Sequence, residues 1–286
     1  MLVSLKSILR IAEAEHKAIA ALNVVTLEGV RAAITAAEEL KEPVILQFAN
    51  AAHGMYVPLK VIGPVMMQMA EEASVPVCVH LDHGADLEEV AQALELGFTG
   101  IMFDGSMMPY EQNVAFTAAV VEMAKPYGAS VEGEIGSMGR EESASAGEAE
   151  ADVAESAYTD PAQAALFVMN TGIDALACSF GTVHGIYLKA PKLDFDRIRA
   201  IREATATPVV MHGGSGVSDE DYRKCIEAGV RKINYYTYGA KYAGEAVRDH
   251  IAAGDGNVYY HDVASWALES MTDTFRKTIR VFSMKG

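Results

Sequence analysis

Three histidines, His83, His184 and His212, each follow a short apolar run, in the contexts His80-Leu81-Asp82-His83, Thr182-Val183-His184-Gly185 and Met211-His212-Gly213-Gly214. Three imidazoles converging on one point make a common catalytic zinc site, with one position left open for water or substrate. Such a metal can polarise a carbonyl as a Lewis acid or activate water. Carboxylates fall at equivalent places: Asp82 beside His83, Asp104 at the end of a fourth run, Glu132 and Glu134 within a fifth. Gly213-Gly214-Ser215-Gly216 follows a seventh run and precedes a helix start marked by Ser218 and Asp221. Glycines let backbone N–H groups approach an anion closely, and a helix N-terminus adds partial positive charge. The indicated chemistry is metal-assisted work on a small anionic substrate.

Side chains this far apart in sequence need a scaffold that brings strand ends together. Eight β-rich apolar runs are candidates: Ala18–Val24, Pro43–Ala49, Pro76–Asp82, Gly100–Gly105, Ser130–Gly136, Ala175–Gly181, Pro208–Gly214 and Lys232–Thr237. They are nearly continuous in hydrophobicity, as parallel strands covered on both faces are. Helical patterns lie between them. Leu87, Val90, Ala91 and Leu94 recur at helical spacing behind Asp86 and Glu89, which are placed like a capping box. Asp160 can cap a helix with Pro161 at its first position and Gln163 three residues on. The alternation predicts a single-domain α/β protein over residues 1–286, a (β/α)8 TIM barrel with a C-terminal helical extension over Val263–Phe282. A doubly wound open sheet is the alternative. The extension reads as a packing or oligomerisation element.

In a barrel of this kind the C-terminal strand ends share one mouth, where phosphate sites often follow strands seven and eight. Gly213–Ser215 and Asn234–Thr237 stand there. Strict alternation puts His80 and Asp82 on one face of the third strand, with Leu81 and His83 on the other. Periodicity alone therefore leaves the ligand choice between His80 and His83 open. His16, His53, His250 and His261 lie on helices or loops and receive no role. The segment Ser137–Tyr158, rich in Glu, Ala, Ser and Gly, is long enough to be a lid, an active-site loop or an insertion.

Composition narrows the partners. Net charge is −16 over 286 residues, a surface that repels nucleic-acid backbones and anionic lipid. Half of the residues are hydrophobic, enough for a large core. Cys78, Cys178 and Cys225 are scattered, with no Cys-x-x-Cys pair, which fits reduced thiols in a cytoplasmic protein. No signal-peptide pattern opens the chain, and no apolar stretch reaches membrane-span length.

Val79–Gly84 (VHLDHG), Gly100–Ser106 (GIMFDGS), Val131–Gly139 (VEGEIGSMG), Gly181–Tyr187 (GTVHGIY), Val210–Gly216 (VMHGGSG) and Lys232–Asn234 (KIN) occur in this order across the chain. In order and spacing the set resembles the class II ketose-bisphosphate aldolases, the group of fructose- and tagatose-bisphosphate aldolases, over essentially the whole chain. The resemblance implies a carbon–carbon lyase that cleaves a phosphorylated ketose to dihydroxyacetone phosphate and an aldehyde. It implies zinc, or another divalent metal in its place, held by His83, His184 and His212. Asp82 would be the acid/base at the hydroxyl beside the scissile bond. Asp104 and Glu134 would belong to a second or alternative metal site. Glu142 would move the proton at the dihydroxyacetone carbon, with Glu141 as its neighbouring rival. Asn23, Gly185, Gly213, Gly214, Ser215, Asn234, Tyr235, Tyr236 and Thr237 would face the substrate. A homo-oligomer, dimer or tetramer, is implied as well.

The departures sit on the substrate side. Leu188 stands where the family often has lysine, with Lys189 one place later. The family's Asn-x-Asp-Thr-Asp is here Asn234-Tyr235-Tyr236-Thr237-Tyr238, and Ala49 replaces a usual serine after the second strand. The expectation is an aldolase not optimised for fructose 1,6-bisphosphate. Competing readings are a fructose- or tagatose-bisphosphate aldolase proper, a zinc hydrolase, and a non-catalytic sugar-phosphate binding barrel.

Overall fold

Strands that are apolar on both faces must be covered on both, and this chain meets that need by closing them into a ring. The computed structural model describes residues 1–136, 158–187, 189–254 and 256–285, together with the backbone of 148–149. Its barrel strands are β1 (Ile19–Asn23), β2 (Val44–Phe48), β3 (Val77–Gly84), β4 (Gly100–Phe103), β5 (Ser130–Ile135), β6 (Ala175–Cys178), β7 (Val209–Met211) and β8 (Val230–Tyr235). Each pairs in parallel with its sequence neighbours, and β8 closes on β1 through Ala21 opposite Asn234. The closed barrel decides against the open sheet. Strands β6 and β7 stop short of the runs read from sequence, because Gly181 and Gly213 beyond them adopt left-handed backbone.

The helices form where caps and apolar stripes coincide. They are α1 (Leu5–Ala14), α2 (Leu27–Leu40), α3 (Asn50–His53), α4 (Leu59–Glu72), α5 (Leu87–Glu95), α6 (Tyr110–Ala124), α7 (Pro161–Thr171), α8 (Phe195–Thr205), α9 (Asp219–Ala228), α10 (Thr237–Ala253) and α11 (Tyr260–Phe282). Asp86, Asp160 and Ser218 each accept a hydrogen bond from the backbone N–H three residues on, at 2.8, 2.9 and 3.1 Å. The Glu89 carboxylate reaches back to the Ala85 N–H, one residue before the cap, so the predicted box closes one place early.

Two apolar layers result. Phe48, Phe98, Phe103, Phe167, Phe180 and Phe282 fill the space between barrel and helices, each contributing about 1.5–3 kcal/mol on burial. Inside the barrel, Ile19, Ala21, Ile45, Cys78, Met102, Ala175, Ala177 and Val210 pack with Leu5, Ile8, Leu9 and Ala12 of α1. That helix plugs the floor. Toward the mouth the inward positions turn polar: His80, Glu132 and Lys232, then Asp82, Glu134 and Asn234 two residues further along the same strands. The long helix α11 begins three residues before the predicted extension and packs on α2 and α10, with Phe275, Ile279 and Phe282 buried.

Of the segment Ser137–Tyr158, Glu148–Ala149 pairs in parallel with Ile186–Tyr187 as a two-residue strand. Glu141, Glu142 and Leu188 lie outside the described residues. Among the described residues no helix is long and apolar enough to cross a membrane.

Candidate active site

Backbone geometry sets His80 and His83 apart. Strand β3 pairs regularly with β4 through Leu81, then its register shifts before Gly84. At that break His83 has φ 50°, a left-handed conformation that non-glycine residues adopt only where the surroundings impose it. The bulge swings His83 out of alternation and into the mouth, while His80 stays in the closed interior. One ring nitrogen from each of His83, His184 and His212 lies within 4.8 Å of the other two, and His83, Asp104 and Glu134 form a second such group.

The other ring nitrogens are occupied. His83 Nδ1 is 2.9 Å from Asp104 Oδ2, and His212 Nε2 is 2.8 Å from Glu132 Oε1. This leaves His83 Nε2 and His212 Nδ1, which face each other at 3.0 Å. The Nδ1 of His184 is buried with no hydrogen-bond partner among the described residues. Carboxylates behind histidine ligands fix ring orientation and raise ligand basicity. An orphaned buried imidazole nitrogen beside two nitrogens with oriented backs fits a divalent cation with imidazole ligands.

The electrostatics agree. Burial lowers the His83 pKa, but Asp82, Asp104 and Glu134 outweigh it and raise it to about 10. Burial, with His83 and His212 nearby, drives His184 down to about 3 and lowers His212 as well. The surrounding carboxylates thus favour the charged form of His83, while burial favours the neutral form of His184 and His212 that ligation requires. Glu132 is lowered to about 2, because Lys232 and His212 outweigh the burial that would raise it. Asp82 and Asp104 are likewise held below the carboxylate range against burial, Asp82 by His83, His212, Lys232 and Asn23, and Asp104 by His83 and Ser106.

Asp82 is bound by three amides. Its Oδ2 accepts from Asn23 Nδ2 at 2.9 Å and Gln47 Nε2 at 3.2 Å, and its Oδ1 from Asn234 Nδ2 at 3.1 Å. Gln47 also donates to Asn23 Oδ1 at 2.7 Å, which fixes the Asn23 amide. The nearer imidazole nitrogen of His83 is 4.0 Å from Asp82 Oδ1.

The loops after β6 and β7 are clamped together. The Tyr187 hydroxyl accepts from the Val183 N–H at 2.9 Å and donates to the Gly213 carbonyl at 2.8 Å. Gly213 has φ 62°, and a Cβ there would run into the Val183 carbonyl. Ser215 Oγ accepts from the Tyr236 N–H at 3.0 Å, joining this turn to the end of β8. Gly185, also left-handed, follows His184 directly, and Thr237 opens α10 at the same rim.

One expected substrate contact is corrected. The Tyr235 side chain points outward from β8, since alternation gives the inward faces to Lys232 and Asn234. Its ring packs 6.5 Å from that of Phe282, and its hydroxyl bonds Thr278 of α11. Tyr236 does lie at the rim, its ring 4.4 Å from that of His53. His53 is therefore part of the mouth, 4% exposed, although its helical context suggested no role. Tyr238 lies across Gly216, where a Cβ would come within 2.8 Å of the ring. Gln47, Glu132, Lys232 and Tyr187 were not assigned roles from sequence. A glutamine inside the otherwise apolar β2, and a buried-strand lysine two residues before Asn234, were the available signals.

Comparison with known proteins bears on this constellation. The family model described as fructose-bisphosphate aldolase class-II matches residues 3–286. The chain is 39% identical over 284 residues to a probable fructose-bisphosphate aldolase of Bacillus subtilis, covering 98% of this chain and 97% of that one. It is 36% identical to a 6-phospho-5-dehydro-2-deoxy-D-gluconate aldolase of Halalkalibacterium halodurans, with coverage of 100% and 97%. Its fold matches the crystal structure of the YdjI aldolase from Escherichia coli with a TM-score of 0.86 at 32% identity, over 99% of this chain and 97% of that one. The chain belongs to the class II fructose-bisphosphate aldolase family, and it is an aldolase, a carbon–carbon lyase.

Proposed function

We propose that this aldolase cleaves a phosphorylated ketose into dihydroxyacetone phosphate and an aldehyde, with zinc, or another divalent metal, held by His83, His184 and His212. The observation that carries the reading is a carboxylate fixed by three amides, Asp82, directly beside three imidazoles with free or facing nitrogens. When bound, the metal supplies Lewis-acid polarisation of the substrate carbonyl.

The chain's own groups account for the rest. Asp82 takes the proton from the hydroxyl next to the scissile bond, so the carbon–carbon bond can break. Its three amide partners aim it without adding a competing charge. Asp104 and Glu132 hold the ligand rings in place. The Gly213–Ser215 turn and the N-terminus of α10 supply backbone donors for a phosphate. Glu142, outside the described residues, returns a proton to the dihydroxyacetone carbon. Asp104 and Glu134 with His83 offer the second metal position.

The proposed substrate is not fructose 1,6-bisphosphate. Tyr236 and Tyr238 put rings and neutral hydroxyls where the family places carboxylates, and Tyr236 packs against His53 at the rim. A relative named for a different phosphorylated substrate supports such breadth on this scaffold. A homo-oligomer and a cytoplasmic location complete the reading, the latter supported by three buried free thiols. Triose-phosphate release from a panel of ketose phosphates tests it. Release from none of them, by metal-loaded protein, overturns the substrate class.

A further inference from the structure

Lys232 is fully buried inside the barrel, on the inward face of β8 two residues before Asn234. Its Nζ is 2.9 Å from Glu132 Oε2 and 2.8 Å from Asn234 Oδ1. These two partners lead in different directions. Glu132 presents its other oxygen to His212 Nε2 at 2.8 Å. Asn234 presents its Nδ2 to Asp82 Oδ1 at 3.1 Å. One ammonium thus sits at the junction between a metal ligand and the acid/base carboxylate.

We infer that Lys232 is a positioning residue of the aldolase reaction, orienting His212 through Glu132 and Asp82 through Asn234. On the Asn234 side the physical reason is amide polarity. An ammonium can only donate, so Nζ selects the Asn234 orientation with its oxygen toward the lysine and its NH2 toward Asp82. Without the lysine the amide is free to turn, and its oxygen would then face the carboxylate oxygen without a proton between them. On the Glu132 side the ion pair occupies Oε2 and leaves Oε1 for His212, which keeps Nδ1 of that ring turned to the other histidines. His80 does not fill this place, since its Nε2 is 3.5 Å from the same Oε2, longer than a well-formed hydrogen bond. A buried lysine in a barrel could instead be a purely structural ion pair, and such pairs are often replaceable by apolar groups without loss of stability.

Two variants separate these roles, measured on the full-length protein. The first is Lys232→Met. The second is Lys232→Met with Glu132→Gln, which removes the unpaired buried charge yet keeps an acceptor for His212. Zinc affinity is read by competition with a chelator, and needs no substrate. Turnover at saturating zinc is read on whichever of fructose 1,6-bisphosphate, tagatose 1,6-bisphosphate and fructose 1-phosphate the unmodified enzyme cleaves fastest. In Lys232→Met the zinc dissociation constant should rise about 10–100-fold, the range for lost partners behind a ligand. The double variant keeps an acceptor for His212 but not the basicity a carboxylate lends the ring, so its zinc affinity should recover only in part, while its kcat at saturating zinc stays lowered by about 10-fold or more with KM little changed, since Asp82 has lost its aim. Unchanged zinc affinity in folded Lys232→Met overturns the inference. If Lys232→Met does not fold, unmodified kcat in the double variant overturns it.

Discussion

His83 Nε2 and His212 Nδ1 face each other at 3.0 Å because each ring's other nitrogen is held from behind, by Asp104 and by Glu132. Two ring nitrogens this close need a hydrogen between them, and the carboxylates of Asp82, Asp104 and Glu134 around His83 favour its charged form, with a hydrogen on both nitrogens. Its pKa is raised to about 10, against an unfolded value near 6.5. A raised folded value means stability that is whole below about 6.5 and lost as pH climbs toward 10. The melting temperature of metal-free protein should therefore fall across this window, while zinc-loaded protein, with the proton displaced, should vary less. A metal-free melting temperature that stays level from pH 6.5 to 9.5 would rule out the raised His83.

His184 contributes the remaining imidazole, with a buried nitrogen that has no other partner among the described residues. The protein should carry roughly one tightly bound divalent metal per chain, and His184→Ala should lose both metal and activity. Full metal occupancy in that variant, by elemental analysis, would remove His184 from the ligand set.

Replacing Asp82 with alanine should leave metal content intact and lower kcat by about 10²–10⁴-fold. Three amides would lose their shared acceptor, so some loss of melting temperature accompanies it. Near-normal turnover would take Asp82 out of the mechanism.

Glu142→Ala should slow solvent-proton exchange at the dihydroxyacetone carbon, and Glu141→Ala should not. Exchange followed by NMR in deuterated buffer distinguishes them, and the reverse pattern would move the role to Glu141.

For fructose 1,6-bisphosphate, kcat/KM should fall well below about 10⁴ M⁻¹s⁻¹, the lower end of the ordinary enzyme range. A buried polar group left without its partner costs about 1–3 kcal/mol, and Tyr236 and Tyr238 withdraw such partners. Steady-state kinetics at or above that range would refute the specificity argued from the two tyrosines.

Much of this was legible in the residues themselves. Eight apolar runs with helical segments between them dictated a parallel sheet covered on both faces, and the caps at Asp86, Asp160 and Ser218 lie where short-range hydrogen bonding puts them. Such features depend on neighbours a few residues away. The placement of His83 does not, since strict alternation turns it outward and only the register break against β4, with its left-handed backbone, brings it to the mouth. Tyr235 is the converse case, adjacent to Asn234 in sequence but facing α11 across the barrel wall. Lys232 shows the same limit. The lysine is visible in the sequence of β8, but its junction between Glu132 and Asn234 exists only because closure of the barrel brings β5 and β8 within reach across the interior. Side-chain facing and cross-barrel pairing are long-range properties, set by register and closure rather than by local propensity.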